Sequence, residues 1–410
     1  MAMFELITNA RIYSPASLGT GCVLTCAGKI VYIGQSKPQL GSGLEVQVTD
    51  VEGRMLLPGL VDGHAHITGG GGETGYSSKV PPVPLSEFTG AGVTSVIGLT
   101  GTDDVTRSTS ALIAATMALR EEGLNAWCYT GGYHYPLNLL TDSALNDLVH
   151  IECVIGIGEL AISDHRSSHM TLDELVRVAS EAHVGGLMTG KAGLLHLHLG
   201  DGRRGLQLVR EAIAQAEVPA RIYHATHVNR LKRLFDEACE LVAQGCHIDL
   251  TAFPVVEETN VEEINVEETS VEKPIDDQSV DNGYGIVEAV TRYIDKNLPI
   301  EKLTVSSDGG GCLPEFDKQG VLLKLDFARC QSLPIALGEL LAAGVDTEQA
   351  ISFFTKNAAQ LYRLQGKGVI AVGADADLVT MDEQFQISDV MCRGVWHKKS
   401  GRQLKKGLFE

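Results

Sequence analysis

Nitrogen- and oxygen-bearing side chains recur at the ends of apolar runs in this sequence. His64 and His66 follow the apolar run 55–61, and the single residue between them would point both imidazoles the same way on a strand. Later runs carry further donors of the same kind: Glu159, His198, His227 and Asp308. Imidazoles and carboxylates without thiolates suit Zn²⁺ or a similar divalent ion, and this number of ligands indicates two ions that share a bridging carboxylate.

A structural role is the more common one for any single histidine, so this prediction depends on convergence. Glu159 lies inside the apolar run 154–162, where a buried carboxylate is costly unless it is paired or binds a metal. His196 and His224 also lie in apolar runs, but we expect them to pack or to support a ligand rather than to bind metal. Compatible donors at five run ends favour a shared metal site.

The runs that carry these donors alternate with amphipathic helical stretches. The first run, 55–61, has the pattern of one buried strand. The runs end near His66, Leu99, Gly131, Ile162, Leu199, Val228, Phe253 and Asp308. Helical patterns cover 110–122, 172–182, 205–216, 231–244, 332–343 and 347–361. Eight β-then-α units predict a parallel sheet closed into a (β/α)8 TIM barrel, in which active sites lie at the carboxyl ends of the strands.

Both ends of the chain differ from this middle. Residues 1–56 and 368–410 contain short β-rich runs separated by glycine and proline turns. We predict that they build one small β-sandwich domain beside a catalytic barrel of residues 57–367. An acidic five-residue repeat, VEETN-VEEIN-VEETS-VEKPI, begins an insertion at about 256–282. The repeat is typical of a solvated surface loop, and an active-site lid or a subunit-contact arm is the alternative.

Composition and charge narrow the class of protein. The 410 residues carry a net charge of −19, which argues against nucleic acid or anionic membranes as partners. The first residues, MAMFEL, lack the segments of a signal peptide, and no apolar run approaches the roughly 18 residues that span a bilayer. The nine cysteines form no C-x-x-C pair, so we expect reduced thiols, a cytoplasmic protein and no structural zinc knuckle.

Longer stretches around these residues resemble one enzyme family. They are PGLVDGHAHITGGGGETG, GVTSVIGLTGTD, YTGGYHYP, IGELAISDHRSS, VGGLMTGKAGLLHLHLGD, THVNR and SSDGGG. Over nearly its whole length the chain resembles the isoaspartyl (β-aspartyl) dipeptidases of the amidohydrolase superfamily. The resemblance implies hydrolysis of the isopeptide bond of β-aspartyl dipeptides, with two Zn²⁺ ions per subunit, or another divalent metal, and a bridging hydroxide as the nucleophile.

The resemblance also implies roles for individual residues. His64 and His66 would bind the more buried ion, and His198 and His227 the more exposed ion. Asp308 would contact the buried ion and act as general acid and base. Tyr133 would donate to the developing oxyanion. The substrate would be bound by Glu73, which takes its amino group, and by Gly71, Thr102, Arg166, Arg230 and Cys312.

Two positions depart from the family pattern. Many relatives bridge the metals with a carboxylated lysine on the fourth strand, where this chain has Glu159. Its only nearby lysine, Lys191, should lie at the opposite end of the barrel, so we expect Glu159 to be the bridge. Relatives also carry a serine where this chain has Cys312, a weaker hydrogen-bond donor. We expect this change to be tolerated, because the arginines dominate substrate binding.

Two other functions are compatible with the same ligands. A cyclic-amide hydrolase similar to dihydropyrimidinase would share the metals but would not need Glu73, Arg166 and Arg230 to bind a zwitterion. A non-catalytic scaffold of this fold would have no need of Asp308 and every other ligand. The resemblance further implies a homo-oligomer, as large as an octamer, that acts on a small dipeptide.

Overall fold

The computed structural model describes residues 4–41, 43–253, 283–316 and 322–410. The acidic insertion predicted at about 256–282 therefore lies outside the described residues. The described part forms an eight-stranded parallel sheet and a nine-stranded sheet built from both ends of the chain. Within these ranges no helix has both the length and the apolar character needed to cross a membrane.

Five strands precede the barrel. They are β1 (Phe4–Tyr13), β2 (Ser17–Cys26), β3 (Lys29–Gly34), β4 (Val46–Asp50) and β5 (Met55–Pro58). β1 pairs antiparallel with β2 and parallel with β4 and β5. Apolar residues of these strands, such as Ile7, Ile12 and Val23, are buried in a core of their own.

The barrel strands follow, and each pairs with the next in chain order. They are β6 (Leu60–Ala65), β7 (Val93–Gly98), β8 (Asn125–Gly131), β9 (Val154–Ile162), β10 (Leu194–Leu199), β11 (Tyr223–Thr226), β12 (His247–Thr251) and β13 (Leu303–Ser306). A bridge between Ala65 and Gly309 brings the first and last strands together. β9 and β10 are buried along their whole length, as expected for parallel strands covered on both faces.

The described residues also form ten α-helices. These are α1 (Leu85–Gly90), α2 (Thr109–Glu122), α3 (Ala144–His150), α4 (Leu172–Thr189), α5 (Gln207–Gln215), α6 (Lys232–Ala243), α7 (Ile286–Asp295), α8 (Ser332–Ala342), α9 (Thr347–Phe354) and α10 (Lys356–Leu361). Short 3₁₀ turns lie at Tyr76–Ser78, Ala220–Ile222, Val228–Arg230 and Ile300–Lys302. α4 begins with a capping box between Thr171 and Glu174, which satisfies two amide groups of its first turn.

The remaining strands form a separate two-stranded sheet and extend the terminal sheet. They are β14 (Cys312–Phe316) and β15 (Leu322–Phe327), which pair as a hairpin, and β16 (Leu378–Met381), β17 (Ile387–Cys392), β18 (Val395–Lys399) and β19 (Arg402–Gln403). β16 pairs antiparallel with β5, so the last strands extend the sheet that the first strands begin. The predicted fold class, a (β/α)8 TIM barrel with a small β-sandwich formed by both termini, is confirmed. The domain boundaries at 56/57 and 367/368 stay predictions.

Two predicted elements are divided in the structure. The run 55–61 is not one strand, because Gly59 separates β5 of the terminal sheet from β6 of the barrel. Gly59 N donates to Asp377 O at 2.9 Å, and a Cβ at Gly59 would lie 2.1 Å from Thr94 Oγ1. The helix predicted at 347–361 is divided into α9 and α10 by Thr355, whose φ of −135° and ψ of −87° are not helical.

Candidate active site

Glu159 and Asp308 lie at the carboxyl end of the barrel and face both histidines of the H-x-H pair. His64 Nε2 lies 3.3 Å from Asp308 Oδ1 and 3.6 Å from Glu159 Oε2. His66 Nε2 lies 3.1 Å from Asp308 Oδ1 and 3.7 Å from Glu159 Oε1. The two imidazoles therefore reach the same pair of carboxylates.

The other two histidines predicted as ligands reach Glu159 from two further strands. His198, on β10, places Nδ1 3.0 Å from Glu159 Oε2. His227, directly after β11, places Nε2 3.8 Å from the same oxygen. Glu159, on β9, thus contacts all four histidines. A carboxylate that bridges two ions would have to lie at this position, between the two pairs of imidazoles.

The donor atoms of this cluster fit a divalent cation. His64 Nε2 and Asp308 Oδ1 are buried and have no hydrogen-bond partner within the described residues. Two sets of side chains offer ligand atoms within 4.8 Å of one another: His64, His66 and Asp308, and His64, Glu159 and His227. Buried polar atoms without partners are costly, and a cation between them would satisfy both. His198 belongs to neither set and joins the cluster through its contact with Glu159.

Both carboxylates are ionised in this environment. Burial raises the pKa of Glu159, but His64 and His198 outweigh burial and hold that pKa well below its usual value. Burial also raises the pKa of Asp308, and the neighbouring H-x-H imidazoles more than reverse the effect. Burial lowers the pKa of His227 to about 3, so that its imidazole is neutral and able to ligate.

Two of the candidate ligands have left-handed backbone conformations. The angle φ is +60° at His227 and +56° at Asp308. For residues other than glycine this conformation costs on the order of 1–3 kcal/mol, and it is concentrated at functional sites. Both residues lie just after the end of a barrel strand, where the chain turns away from the sheet.

Two side chains that the sequence analysis missed contact the outer nitrogens of the ligand candidates. Asp164 Oδ2 lies 3.2 Å from His198 Nε2, and Thr251 Oγ1 lies 2.7 Å from His227 Nδ1. Such partners orient a ligating imidazole and fix which nitrogen carries the proton. Asp164 follows the end of β9 by two residues, a position from which it could have been identified. Thr251 is the last residue of β12, a strand without any predicted ligand.

Asp164 also joins the metal-ligand candidates to the predicted substrate residues. Arg166 donates to it from Nε at 3.0 Å and from Nη2 at 2.8 Å, and the Tyr133 hydroxyl donates to it at 3.1 Å. Arg166 Nη1 donates to Glu73 Oε1 at 3.2 Å, and Thr102 Oγ1 donates to the same oxygen at 3.1 Å. These four predicted residues therefore lie in one hydrogen-bonded network around Asp164.

Glycines shape the loop that leads to Glu73. Gly71 has a φ of +78°, and a Cβ at this position would lie 2.5 Å from Ser78 O. Gly70 N donates to Gly310 O at 2.8 Å, so the loop lies against the segment that follows Asp308. Only glycine fits at position 71 without displacing the backbone. The structure therefore gives Gly71 a part in shaping this loop, and its predicted contact with substrate stays a prediction.

Cys312 and Arg230 are the remaining predicted substrate residues. Cys312 is half-buried, and burial, together with the charge of Glu73, raises the pKa of its thiol to about 11. The thiol is therefore neutral and a weak donor. Arg230 ends the 3₁₀ turn that follows His227, and its guanidinium forms no ion pair with a described residue. The functional roles of all these residues stay predictions.

A parallel barrel with imidazoles and carboxylates gathered at the carboxyl ends of its strands is typical of metal-dependent enzymes. Residues 55–397 match the Amidohydrolase family, and the chain belongs to this family. A crystal structure of β-aspartyl dipeptidase from Fervidobacterium islandicum AW-1, in complex with β-Asp-Leu dipeptide, is 35% identical, covers 98% of both chains and superposes with a TM-score of 0.87. The resemblance to isoaspartyl dipeptidases predicted from the motifs is confirmed.

Two curated relatives match over shorter stretches. Imidazolonepropionase from Sphingopyxis alaskensis is 29% identical over 141 residues, which are 32% of this chain and 34% of the relative. Dihydroorotase from Anaplasma phagocytophilum is 28% identical over 247 residues, which are 55% of this chain and 53% of the relative. The matches thus span about a third of the length of the first relative and about half of the second. Both matches are consistent with the Amidohydrolase family, and neither indicates a substrate for this chain.

Proposed function

We propose that this chain is a binuclear metal-dependent dipeptidase that hydrolyses the isopeptide bond of β-aspartyl dipeptides. The observation that carries the proposal is the contact of Glu73 with Arg166, 3.2 Å apart and joined through Asp164 to the metal-ligand cluster. An anionic and a cationic side chain at one site suit a small zwitterion, whose ammonium and carboxylate groups they would bind. Arg230 is a second cation for a second carboxylate. The similarity to a β-aspartyl dipeptidase over 98% of both chains supports the same substrate class.

We propose two Zn²⁺ ions as the cofactors of this chain. One would be held by His64, His66 and Asp308, the other by His198 and His227, with Glu159 between them. The ions would lower the pKa of a water molecule and polarise the carbonyl group of the scissile amide. The supporting observation is the set of buried nitrogen and oxygen atoms that have no hydrogen-bond partner among the described residues.

The proposed bridge is Glu159 rather than a carboxylated lysine. Lys191 Nζ donates to Leu148 O at 2.7 Å and to Ile151 O at 2.6 Å. These carbonyl groups lie in and after α3, before β9 begins, so the lysine is held at the amino end of the strands. A glutamate provides two oxygens without requiring carbon dioxide, and we therefore propose that activity does not depend on bicarbonate.

The remaining steps belong to the side chains of this chain. Asp308, whose carboxylate is ionised, would accept a proton and deliver it to the leaving amine. Burial raises the pKa of Tyr133, so its hydroxyl keeps its proton and can donate to the oxygen on which negative charge develops. This hydroxyl now donates to Asp164 at 3.1 Å, so it would exchange that acceptor for the substrate.

A three-substrate assay tests the proposed function. Protein loaded with Zn²⁺ is given β-Asp-Leu, α-Asp-Leu or dihydrouracil, each with and without a chelator. We expect hydrolysis of β-Asp-Leu alone, and its loss when the chelator is present. Turnover of dihydrouracil instead would indicate a cyclic-amide hydrolase. Bound metal without turnover of any substrate would indicate a non-catalytic scaffold.

A homo-oligomer as large as an octamer is a further proposal that rests on the resemblance, and a cytoplasmic location is one that rests on the cysteines expected to be reduced. Light scattering of the purified protein tests the first. A mass that corresponds to one chain would contradict it.

A further inference from the structure

A chain of hydrogen bonds leads from the metal-facing His64 into the barrel interior. His64 Nδ1 lies 2.8 Å from His196 Nε2, and His196 Nδ1 lies 2.9 Å from His224 Nδ1. None of the three imidazoles has exposed surface. The ring of Tyr129 stacks on His196, with 4.9 Å between the ring centroids, and so limits rotation of the middle imidazole.

The chain of hydrogen bonds ends on a buried carboxylate. His224 Nε2 lies 3.3 Å from Thr304 Oγ1, and the Thr304 hydroxyl donates to Asp249 Oδ1 at 2.6 Å. Asp249 also accepts hydroxyl hydrogen bonds from Thr226 at 2.8 Å and from Ser306 at 2.5 Å. These hydroxyl groups come from β11 and β13, the two neighbours of β12, which carries the carboxylate. Asp249 is therefore fixed from both sides.

The carboxylate of Asp249 sets the direction of every hydrogen bond in this series, from Thr304 back to His64. A carboxylate only accepts, so Thr304 gives its proton to Asp249 and accepts from His224 Nε2. His224 then accepts at Nδ1 from His196, and His196 accepts at Nε2 from His64. An imidazole that binds a metal ion is neutral and carries one ring proton, which at His64 must therefore lie on Nδ1. The lone pair of His64 Nε2 then points towards the two carboxylates of the proposed metal centre.

We propose that His196, His224, Thr304 and Asp249 are positioning residues that hold His64 in the tautomer able to bind a metal ion. The inference rests on the proposed metal centre but concerns residues outside it. If these hydrogen bonds ran in the opposite direction, the His64 proton would lie on Nε2, where a cation would have to displace it. This reversal would also leave the oxygens of Thr304 and Asp249 facing each other as acceptors at 2.6 Å. Removing a partner that fixes a ligating imidazole typically weakens metal binding by about 10- to 100-fold.

Thr304 offers the sharpest test, because valine has nearly the shape of threonine and lacks the hydroxyl group. We expect Thr304→Val to weaken Zn²⁺ binding by about 10- to 100-fold in a competition titration against a chromogenic chelator. Thr304→Ser, which keeps the hydroxyl, should bind like the wild type. Thr94→Val is the matched control, because Thr94 is equally buried on a barrel strand and its Oγ1 has no hydrogen-bond partner among the described residues. With Co²⁺ as a probe, the visible absorption bands should change in Thr304→Val only.

The possible results separate this inference from the metal centre on which it rests. Unchanged Zn²⁺ affinity in Thr304→Val would overturn the inference, and so would an equal loss in Thr304→Ser or in Thr94→Val. Wild-type protein that does not bind Zn²⁺ would contradict the metal centre itself, and the inference with it. Should Thr304→Val fail to fold, His224→Gln replaces it with the same expected loss.

Discussion

The barrel contains two layers of histidines that burial does not distinguish. The upper histidines, at the carboxyl ends of the strands, are His64, His66, His198 and His227, and the lower histidines are His196 and His224. Every ring nitrogen of the lower histidines meets another imidazole or a hydroxyl group. The upper histidines face carboxylates, and His64 Nε2 has no hydrogen-bond partner within the described ranges. Contact with Glu159 or Asp308, rather than burial, therefore separates the candidate ligands of the barrel from its packed histidines.

The same contrast explains why the H-x-H spacing occurs twice with different outcomes. On β10, His196 and His198 both lie in the strand, and two residues along a strand span about 6.6 Å. They therefore lie in different layers, and only His198 contacts Glu159. β6 ends at Ala65, so His66 lies beyond the strand and joins His64 at the same carboxylates. The end of the strand, more than the spacing, decides whether both histidines reach one site.

The largest effect is expected when one of the two carboxylates that the upper histidines face loses its charge. Asp308→Asn keeps the side-chain volume but removes a proposed metal ligand and proton acceptor, so we expect kcat/KM for β-Asp-Leu to fall by about 10²- to 10⁴-fold. Asp142→Asn, at an exposed position, is the control and should leave kcat/KM unchanged. Wild-type activity in Asp308→Asn would contradict the role given to the upper layer.

The next largest effect is expected at Arg166, whose guanidinium is bound by Asp164 beside the upper histidines. Arg166→Met removes charge-assisted hydrogen bonds worth about 1.5–3 kcal/mol, so KM for β-Asp-Leu should rise by about 10- to 100-fold. Arg292→Met is the control, because Arg292 is exposed and, among the described residues, its only ion pair is with Glu288 of its own helix; its guanidinium also lies over the Tyr284 ring. A fall in kcat without a change in KM would instead assign Arg166 to the orientation of Asp164.

His397 is a buried histidine outside both layers, and we expect it to affect stability rather than activity. His397, on β18, has no hydrogen-bond partner for either ring nitrogen within the described residues, and its charged neighbour is Lys405 rather than a carboxylate. Burial, assisted by Lys405, lowers its pKa from 6.5 to about 4. The unfolded chain binds this proton at higher pH than the folded chain, so stability is lost as the pH falls from about 6.5 to about 4.

Removing this imidazole should flatten the acid limb of the stability profile. We expect His397→Leu to lessen the loss between pH 6.5 and pH 4 by up to about 3 kcal/mol, at about 1.36 kcal/mol per pKa unit. Urea unfolding across this pH range measures the free energy of unfolding. Equal acid sensitivity in the variant and the wild type would show that His397 does not contribute.

The smallest effect is expected at Cys312. Cys312→Ser should change KM for β-Asp-Leu by less than about twofold, because neutral thiol and hydroxyl donors are minor beside charge-assisted contacts. Steady-state kinetics of the two proteins, measured side by side, tests this. A severalfold gain in affinity would show instead that the cysteine weakens substrate binding.

Much of the barrel could be predicted because its signals are local. Buried parallel strands give continuous apolar runs, and β9 and β10 end at Ile162 and Leu199, where the sequence predicts their ends. The division of the run 55–61 depends instead on pairing with β16, more than 300 residues away. An apolar run has the same pattern whichever sheet it joins. The sequence therefore could not assign its first half to the terminal sheet.

In the candidate site, too, the residues with a local sequence signal could be predicted and those defined by long-range contacts could not. His64, His66 and Glu159 follow from spacing and from the cost of burying a carboxylate. Asp164 acts through contacts with residues on other strands, and an aspartate in a loop has no distinctive pattern. Asp249 lies between two apolar residues of β12, but its partners on β11 and β13 cannot be identified from the sequence. The direction of the hydrogen bonds through the lower histidines likewise follows only from their measured partners.

The central claim is that the upper layer holds two metal ions bridged by Glu159, and a zinc titration tests it most directly. Metal-stripped protein is titrated with Zn²⁺ in buffer free of carbon dioxide and assayed on β-Asp-Leu, with and without added bicarbonate. We predict that activity reaches its maximum at two Zn²⁺ per chain and does not depend on bicarbonate. Full activity with one Zn²⁺ per chain, or activity only with bicarbonate, would contradict the claim.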